Sequence, residues 1–164
     1  MENQPEVIIV MGSKSDWDVM KNSAEQLKSF DVKYDARVLS AHRTPAALEE
    51  YLKKVDNGNL KVIIAAAGLA AHLAGVIASL TTTPILAVPM DAGSLGGVDA
   101  LYSMVQMPPG IPVATMGIGK PGAVNAALYA VAILALENPA MKQRLLDYRK
   151  GQAQKVLETT LELP

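Results

Sequence analysis

Ser40-Ala41-His42-Arg43-Thr44-Pro45 gathers an imidazole, a guanidinium and two hydroxyls within six residues, in a chain with only two histidines. An imidazole ordinarily titrates near neutrality, so it can give a proton at one step and take it back at the next. The Arg43 guanidinium can clamp a phosphate through paired hydrogen bonds, and Ser40 can donate another. The plain alternative is a surface His-Arg pair in the turn before a capped helix.

Two further stretches offer related chemistry. Gly12-Ser13-Lys14-Ser15-Asp16 supplies two hydroxyls and a loop glycine ahead of a helix. Free amides and the helix dipole make such a place favourable to a phosphate. Asp16 adds an acceptor suited to ribose hydroxyls; alternatively it, or Ser15, simply caps the helix. The spacing of a P-loop is absent. The other stretch, Ala67 to His72, sets the second histidine among Ala and Leu, where a lone histidine is more often structural than catalytic. Gly68 would let backbone amides approach a ligand closely. No carboxylate stands at a metal-ligand spacing from His42 and His72. There is no nucleophile elbow and no dinucleotide-binding fingerprint.

The elements that must position these groups read as strands alternating with helices. EVIIVM (6–11) is a near-continuous apolar run, as expected of a strand buried on both faces. Trp17, Met20, Ala24 and Leu27 follow at helical spacing. VKYDARVL (32–39) alternates, with Val32, Tyr34, Ala36 and Val38 on one side, and predicts a strand near a sheet edge. Thr44 and Pro45 predict the N-cap and first residue of a helix carrying Leu48, Tyr51, Leu52 and Val55. KVIIAA (61–66), ILAV (85–88) and VATMGI (113–118) are three further strands. AAHLAGVIASL, VDALYSMVQ and an Ala-rich run to about Leu136 are the helices between and after them. Pro139 opens a last, charged helix over about 139–160. MDAGSLGG (90–97) is a glycine-rich loop able to cover a site, and Pro108 and Pro109 stop the helix before them.

Five βα units predict an α/β fold with a parallel five-stranded sheet covered on both faces, a three-layer αβα sandwich. In such a sheet ligands bind beyond the carboxyl ends of the strands, near the reversal of strand order. The three chemical stretches follow the first three strands, so they should share that edge. The charged last helix has no obvious place in the sandwich, and packing on a neighbouring subunit is one use for it.

Totals narrow the classes. The 164 residues are read as one domain, and the 4% aromatic content implies a core of Ala, Val, Ile, Leu and Met. A net charge of −1 without a basic block argues against nucleic acid as partner. The chain has no cysteine, which removes thiol chemistry and fits a reducing compartment. There is no signal-peptide pattern, and no apolar run nears the roughly 18 residues of a membrane span. The expectation is a soluble, cytoplasmic protein without membrane contact.

MGSKSDW (11–17), SAHRTP (40–45), AAAGLAAHLAG (65–75), GVDALYSMVQMPPGIPVAT (97–115) and IGKPGAVNAALYA (118–130) together resemble the PurE family, in the class found in most bacteria. The likeness runs in register from about residue 7 to about residue 150. It implies a flavodoxin-like fold and a homo-octamer with active sites at subunit junctions. It further implies an isomerase, the N5-carboxyaminoimidazole ribonucleotide mutase of purine biosynthesis, which uses no metal and no organic cofactor. Matched position by position, Ser15, Ser40 and Arg43 correspond to 5′-phosphate ligands and Asp16 to the ribose ligand. Ser13, with the backbone of Gly68, Leu69 and Ala70, would face the base and the migrating carboxylate. His72 and Leu73 would stand beside them in support, and His42 corresponds to the essential histidine.

Three departures from the family pattern stand out. Leu69 and Ala74 replace a glycine and a proline, and Met90-Asp91-Ala92 stands where many members carry Val-Gln-Ser. Leu69 puts a side chain where backbone should approach the ligand. Direct carboxylation of aminoimidazole ribonucleotide by carbon dioxide is the same-fold alternative, and the AAHLAG segment argues against it. A non-catalytic nucleotide-phosphate or flavin module is the alternative from another class, but Trp17, Phe30 and the five tyrosines are poorly placed to flank a flavin.

Overall fold

The computed structural model describes residues 4–56 and 58–161. Five strands, β1 (Val7–Met11), β2 (Tyr34–Val38), β3 (Val62–Ala67), β4 (Ile85–Pro89) and β5 (Ala114–Thr115), form one sheet in the order β2-β1-β3-β4-β5. Every pairing is parallel. Six helices accompany them: α1 (Trp17–Ser29), α2 (Pro45–Val55), α3 (Leu73–Ala78), α4 (Val98–Val105), α5 (Lys120–Leu134) and α6 (Pro139–Leu157). This is the flavodoxin-like strand order, and the chain reverses direction across the sheet between β1 and β3.

Alternation along the strands sorts the core into two layers. Ile9, Ile64 and Val88 face α1 and α5, where Met20, Leu27, Ala126 and Ala130 meet them. Ile8, Ile63 and Ala87 face α2, α3 and α4, against Leu48, Leu52, Ile77 and Met104. Each fully buried Ile or Leu contributes about 1.5–3 kcal/mol. Where α5 meets α1, the Ser23 hydroxyl donates to the Ala123 carbonyl at 2.5 Å. A Cβ on Gly122 would collide with the Gly117 carbonyl, so only glycine allows α5 to start where it does.

Several expectations change in detail. The last strand pairs only over two residues, because it lies at the edge and runs straight into Gly117 and Gly119. The Met116 and Gly119 amides nonetheless donate to Ala87 and Pro89, holding the chain along β4. β2 is an edge strand as expected, but Tyr34 and Val38 on its apolar side remain exposed. α6 does have a place: Met141 and Leu145 are buried, Arg144 donates to the Phe30 carbonyl, and Tyr148 packs on the Phe30 ring. From Arg149 to Leu161 every residue is exposed. Asn57 follows α2 in a stretch whose Asp, Asn and Gly residues predict the turn that ends the helix, and it lies outside the described residues. Among the described residues no helix is long and apolar enough to cross a membrane.

Register sets the site. Met11 pairs with Val38 on one side and with Ala66 on the other, so the loops after β1, β2 and β3 leave the sheet at one level.

Candidate active site

The loop after β1 is tied to β3 by the Gly12 amide, which donates to the Ala66 carbonyl at 3.0 Å. It then closes a single 3-10 turn over Lys14–Asp16. Ser13 caps this turn: its hydroxyl accepts from the Ser15 amide, while the Asp16 carboxylate accepts from the Ser13 amide at 3.0 Å. Asp16 does stand at the N-cap position of α1, as the sequence allows, but its side chain makes no capping bond there. The reciprocal pair is a capping box, and it satisfies two amides that would otherwise lack partners. The Ser15 hydroxyl donates to that of Ser13 at 2.9 Å, so both hydroxyls face one spot.

Burial raises the pKa of Asp16 above the ordinary carboxylate value; the Ser13 amide and the Arg43 charge oppose that shift without cancelling it. A carboxyl whose folded pKa exceeds its unfolded one stabilises the fold below the unfolded value, and the contribution is lost as pH rises through the folded value. Asp16→Asn keeps an oxygen for the Ser13 amide and removes the titration. Its thermal midpoint is expected to exceed that of the unaltered chain at about pH 7, with the gain gone by about pH 3. A midpoint difference that does not vary with pH would contradict this account.

After β2, Thr44 stands at the N-cap position of α2 with Pro45 next, as its sequence predicts. Its hydroxyl does not cap the helix: it accepts from the Ser40 amide at 2.9 Å and donates to the Ser40 carbonyl at 3.1 Å. This closes 40–44 into a tight turn with Ala41, His42 and Arg43 at its crest. Arg43 leans across to β1, donating from Nη2 to the Gly12 carbonyl at 2.7 Å and from Nε to the Ser40 hydroxyl at 3.4 Å. The guanidinium is thereby held between the first two loops, with its charge beside Ser40 and the serine pair.

The third loop brings Gly68, Leu69, Ala70 and His72 to the same edge. A Cβ on Gly68 would stand 2.8 Å from the Cβ of Ala92, so this glycine lets the loop after β4 close against it. Leu69 adopts φ 57°, a left-handed conformation that costs an L-residue about 1–2 kcal/mol. His72 occupies the N-cap position of α3. Its Nδ1 lies 2.9 Å from Nε2 of His42, and the two rings meet edge to face.

That contact has a topological cause. β2 and β3 flank β1 and so lie roughly 10 Å apart. Their helices, α2 and α3, pack on the same face of the sheet, so side chains at the two helix starts can reach each other over the β1 loop. One ring must donate and the other accept, so the bonded pair accommodates no more than one imidazolium.

Ser13, Ser15, Asp16, Ser40, His42, Arg43, Gly68, Leu69, Ala70, His72 and Leu73 all line one cleft of about 510 Å³. The candidates from three separate stretches thus converge on one site. Ala92 and Gly12 also line it. Ala92 belongs to the glycine-rich loop expected to cover a site and to the Met90-Asp91-Ala92 departure, though it is not among the site residues the sequence proposes. The Gly12 carbonyl, an acceptor from Arg43, carries no side-chain signal at all. Among the described residues no three His, Asp or Glu side chains cluster as metal ligands would.

Comparison with known proteins places the fold and the family. Residues 6–155 match the family model described as "AIR carboxylase". The chain is 51% identical over 156 residues to the N5-carboxyaminoimidazole ribonucleotide mutase of Escherichia coli (strain K12), covering 95% of this chain and 92% of that protein. The mutase of Saccharolobus solfataricus is 46% identical over 158 residues, covering 96% and 99%. The crystal structure of Treponema denticola PurE superposes with a TM-score of 0.85 at 33% identity, covering 93% of this chain and 94% of that one.

Proposed function

This chain belongs to the AIR carboxylase family, and on that premise we propose that it is an N5-carboxyaminoimidazole ribonucleotide mutase. It is an isomerase of purine biosynthesis, moving a carboxylate from N5 to C4 of an aminoimidazole ribonucleotide. One observation carries the reading: a chain half identical to such mutases gathers His42, Arg43, Ser40, Ser15 and Asp16 in a single cleft.

The site has the groups this chemistry needs. Arg43, Ser40 and Ser15 bind the 5′-phosphate, a cationic fork and two hydroxyls. Asp16 accepts from the ribose. The base and its carboxylate then lie toward Ser13, Gly68, Leu69, Ala70, Leu73 and the two histidines. His42 delivers a proton to N5 as the carbamate C–N bond breaks and releases carbon dioxide. C4 attacks the trapped carbon dioxide, and His42 removes the C4 proton, restoring the aromatic ring. Net proton change is zero, since His42 gives one proton to N5 and takes one from C4. His72 supports this by fixing the ring of His42.

Assembly and place follow from the family likeness. We read residues 1–164 as one domain that forms a homo-octamer in the cytoplasm. Two observations support assembly: Val98, Tyr102 and Val105 leave an apolar stripe exposed on α4, and the end of α6 lies free to rest on a neighbour.

The deciding assay supplies the N5-carbamate without added bicarbonate. Turnover supports the mutase. Strict dependence on carbon dioxide overturns it in favour of direct carboxylation of aminoimidazole ribonucleotide.

A further inference from the structure

Apart from Asp31, Leu69 is the one non-glycine residue with positive φ among the described residues. Asp and Asn can hold such a conformation with a short polar side chain, and Leu cannot. Nor does burial offset the strain, because Leu69 is 56% exposed. A strained, exposed leucine at the rim of a cleft calls for a functional reason.

Its surroundings supply one. The loops after β3 and β4 are stitched at three successive levels. At the base the Met90 amide donates to the Ala67 carbonyl at 2.9 Å. Next, Gly68 gives way to Ala92. Outermost, Cδ2 of Leu69 lies 2.5 Å from where a Cβ on Gly93 would stand, so the leucine fills the space that glycine leaves. Both Leu69 and Ala92 line the cleft. Glycine at 69 would satisfy the backbone without strain, so the leucine adds only its side chain, an apolar bridge between two loops.

We propose that Leu69 is a retention wall that keeps released carbon dioxide against the imidazole until C4 attacks. The proposal rests on the mutase reading. Carbon dioxide is small, uncharged and weakly hydrogen-bonding, so an apolar barrier that also excludes water holds it better than any polar contact. Failure of the wall has a defined product. The carbamate C–N bond breaks, its electron pair stays on N5, which takes a proton, and carbon dioxide escapes to leave aminoimidazole ribonucleotide.

The test uses substrate labelled with carbon-13 in the carbamate, turned over in buffer saturated with unlabelled carbon dioxide. Mass spectrometry reads the label retained in the C4 carboxylate, after correction for spontaneous loss. The unaltered chain should retain most of it. Leu69→Ala keeps the backbone demand without the bridge, and Leu69→Gly removes both. Both variants should retain less than half as much label and accumulate aminoimidazole ribonucleotide, while Leu69→Gly melts no lower than Leu69→Ala. Equal retention in the unaltered chain and both variants overturns the proposal, as does loss of most label by the unaltered chain. No carboxylate transfer by the unaltered chain overturns the mutase reading instead.

Discussion

His42→Asn is expected to lower the rate of carboxylate transfer by about 10²–10⁴-fold, the usual worth of a positioned proton-transfer group, while substrate binding persists. Asparagine matches the near part of the imidazole in shape and can still hydrogen-bond toward His72. It cannot take up a proton at neutral pH, so neither the protonation of N5 nor the removal of the C4 proton has an agent. The phosphate and ribose contacts lie on Arg43, Ser40, Ser15 and Asp16, none of which is altered. Rapid-quench turnover and calorimetric binding of the product separate the two effects. Near-normal turnover would remove His42 from the mechanism. Lost binding with an unchanged rate on bound substrate would make it a ligand, not an acid-base catalyst.

The sheet was legible because β1, β3 and β4 are buried on both faces and therefore spell themselves out as apolar runs. β5 was overread for the same reason: VATMGI is apolar, but the glycines after it and the edge position leave only Ala114 and Thr115 in the ladder. Burial of Met141 and Leu145 is hidden because the apolar residues of α6, Leu146, Val156 and Leu157 among them, fall on more than one face of a charged helix, and only two of them are buried. The three loops of the site were legible as polar or glycine-rich breaks after consecutive strands. Their meeting point follows from parallel register, which any doubly wound order would provide. The bond between His42 and His72 needed more, namely that β2 and β3 flank β1 and send their helices to one face. Composition holds no trace of that order. Leu69 was visible as an intrusion, but only the backbone angle and the space above Gly93 say what it does.

Arg43→Ala is expected to weaken phosphate-dependent binding by about 1.5–3 kcal/mol, roughly 10–150-fold in KM, with a smaller change in kcat. The guanidinium is held between the first two loops, and its Nη2 bond to the Gly12 carbonyl aims it before ligand arrives. Such preorganisation acts on ground state and transition state alike, so the loss should fall on KM. A second effect follows from the neighbouring carboxyl. After the Ser13 amide, the Arg43 charge is the second influence that draws the raised pKa of Asp16 back toward its ordinary value. Without it the Asp16 carboxyl stays protonated to higher pH, and the ribose loses an ionised acceptor at the acid end. The variant should therefore bind still more weakly as pH falls, and its KM profile should turn upward at a higher pH than that of the unaltered chain. Arg43→Lys restores the charge without the fork, so it should recover the pH profile but only part of the affinity. Unchanged affinity in Arg43→Ala would move the phosphate elsewhere in the cleft, and a lost affinity with an unmoved profile would uncouple Arg43 from Asp16.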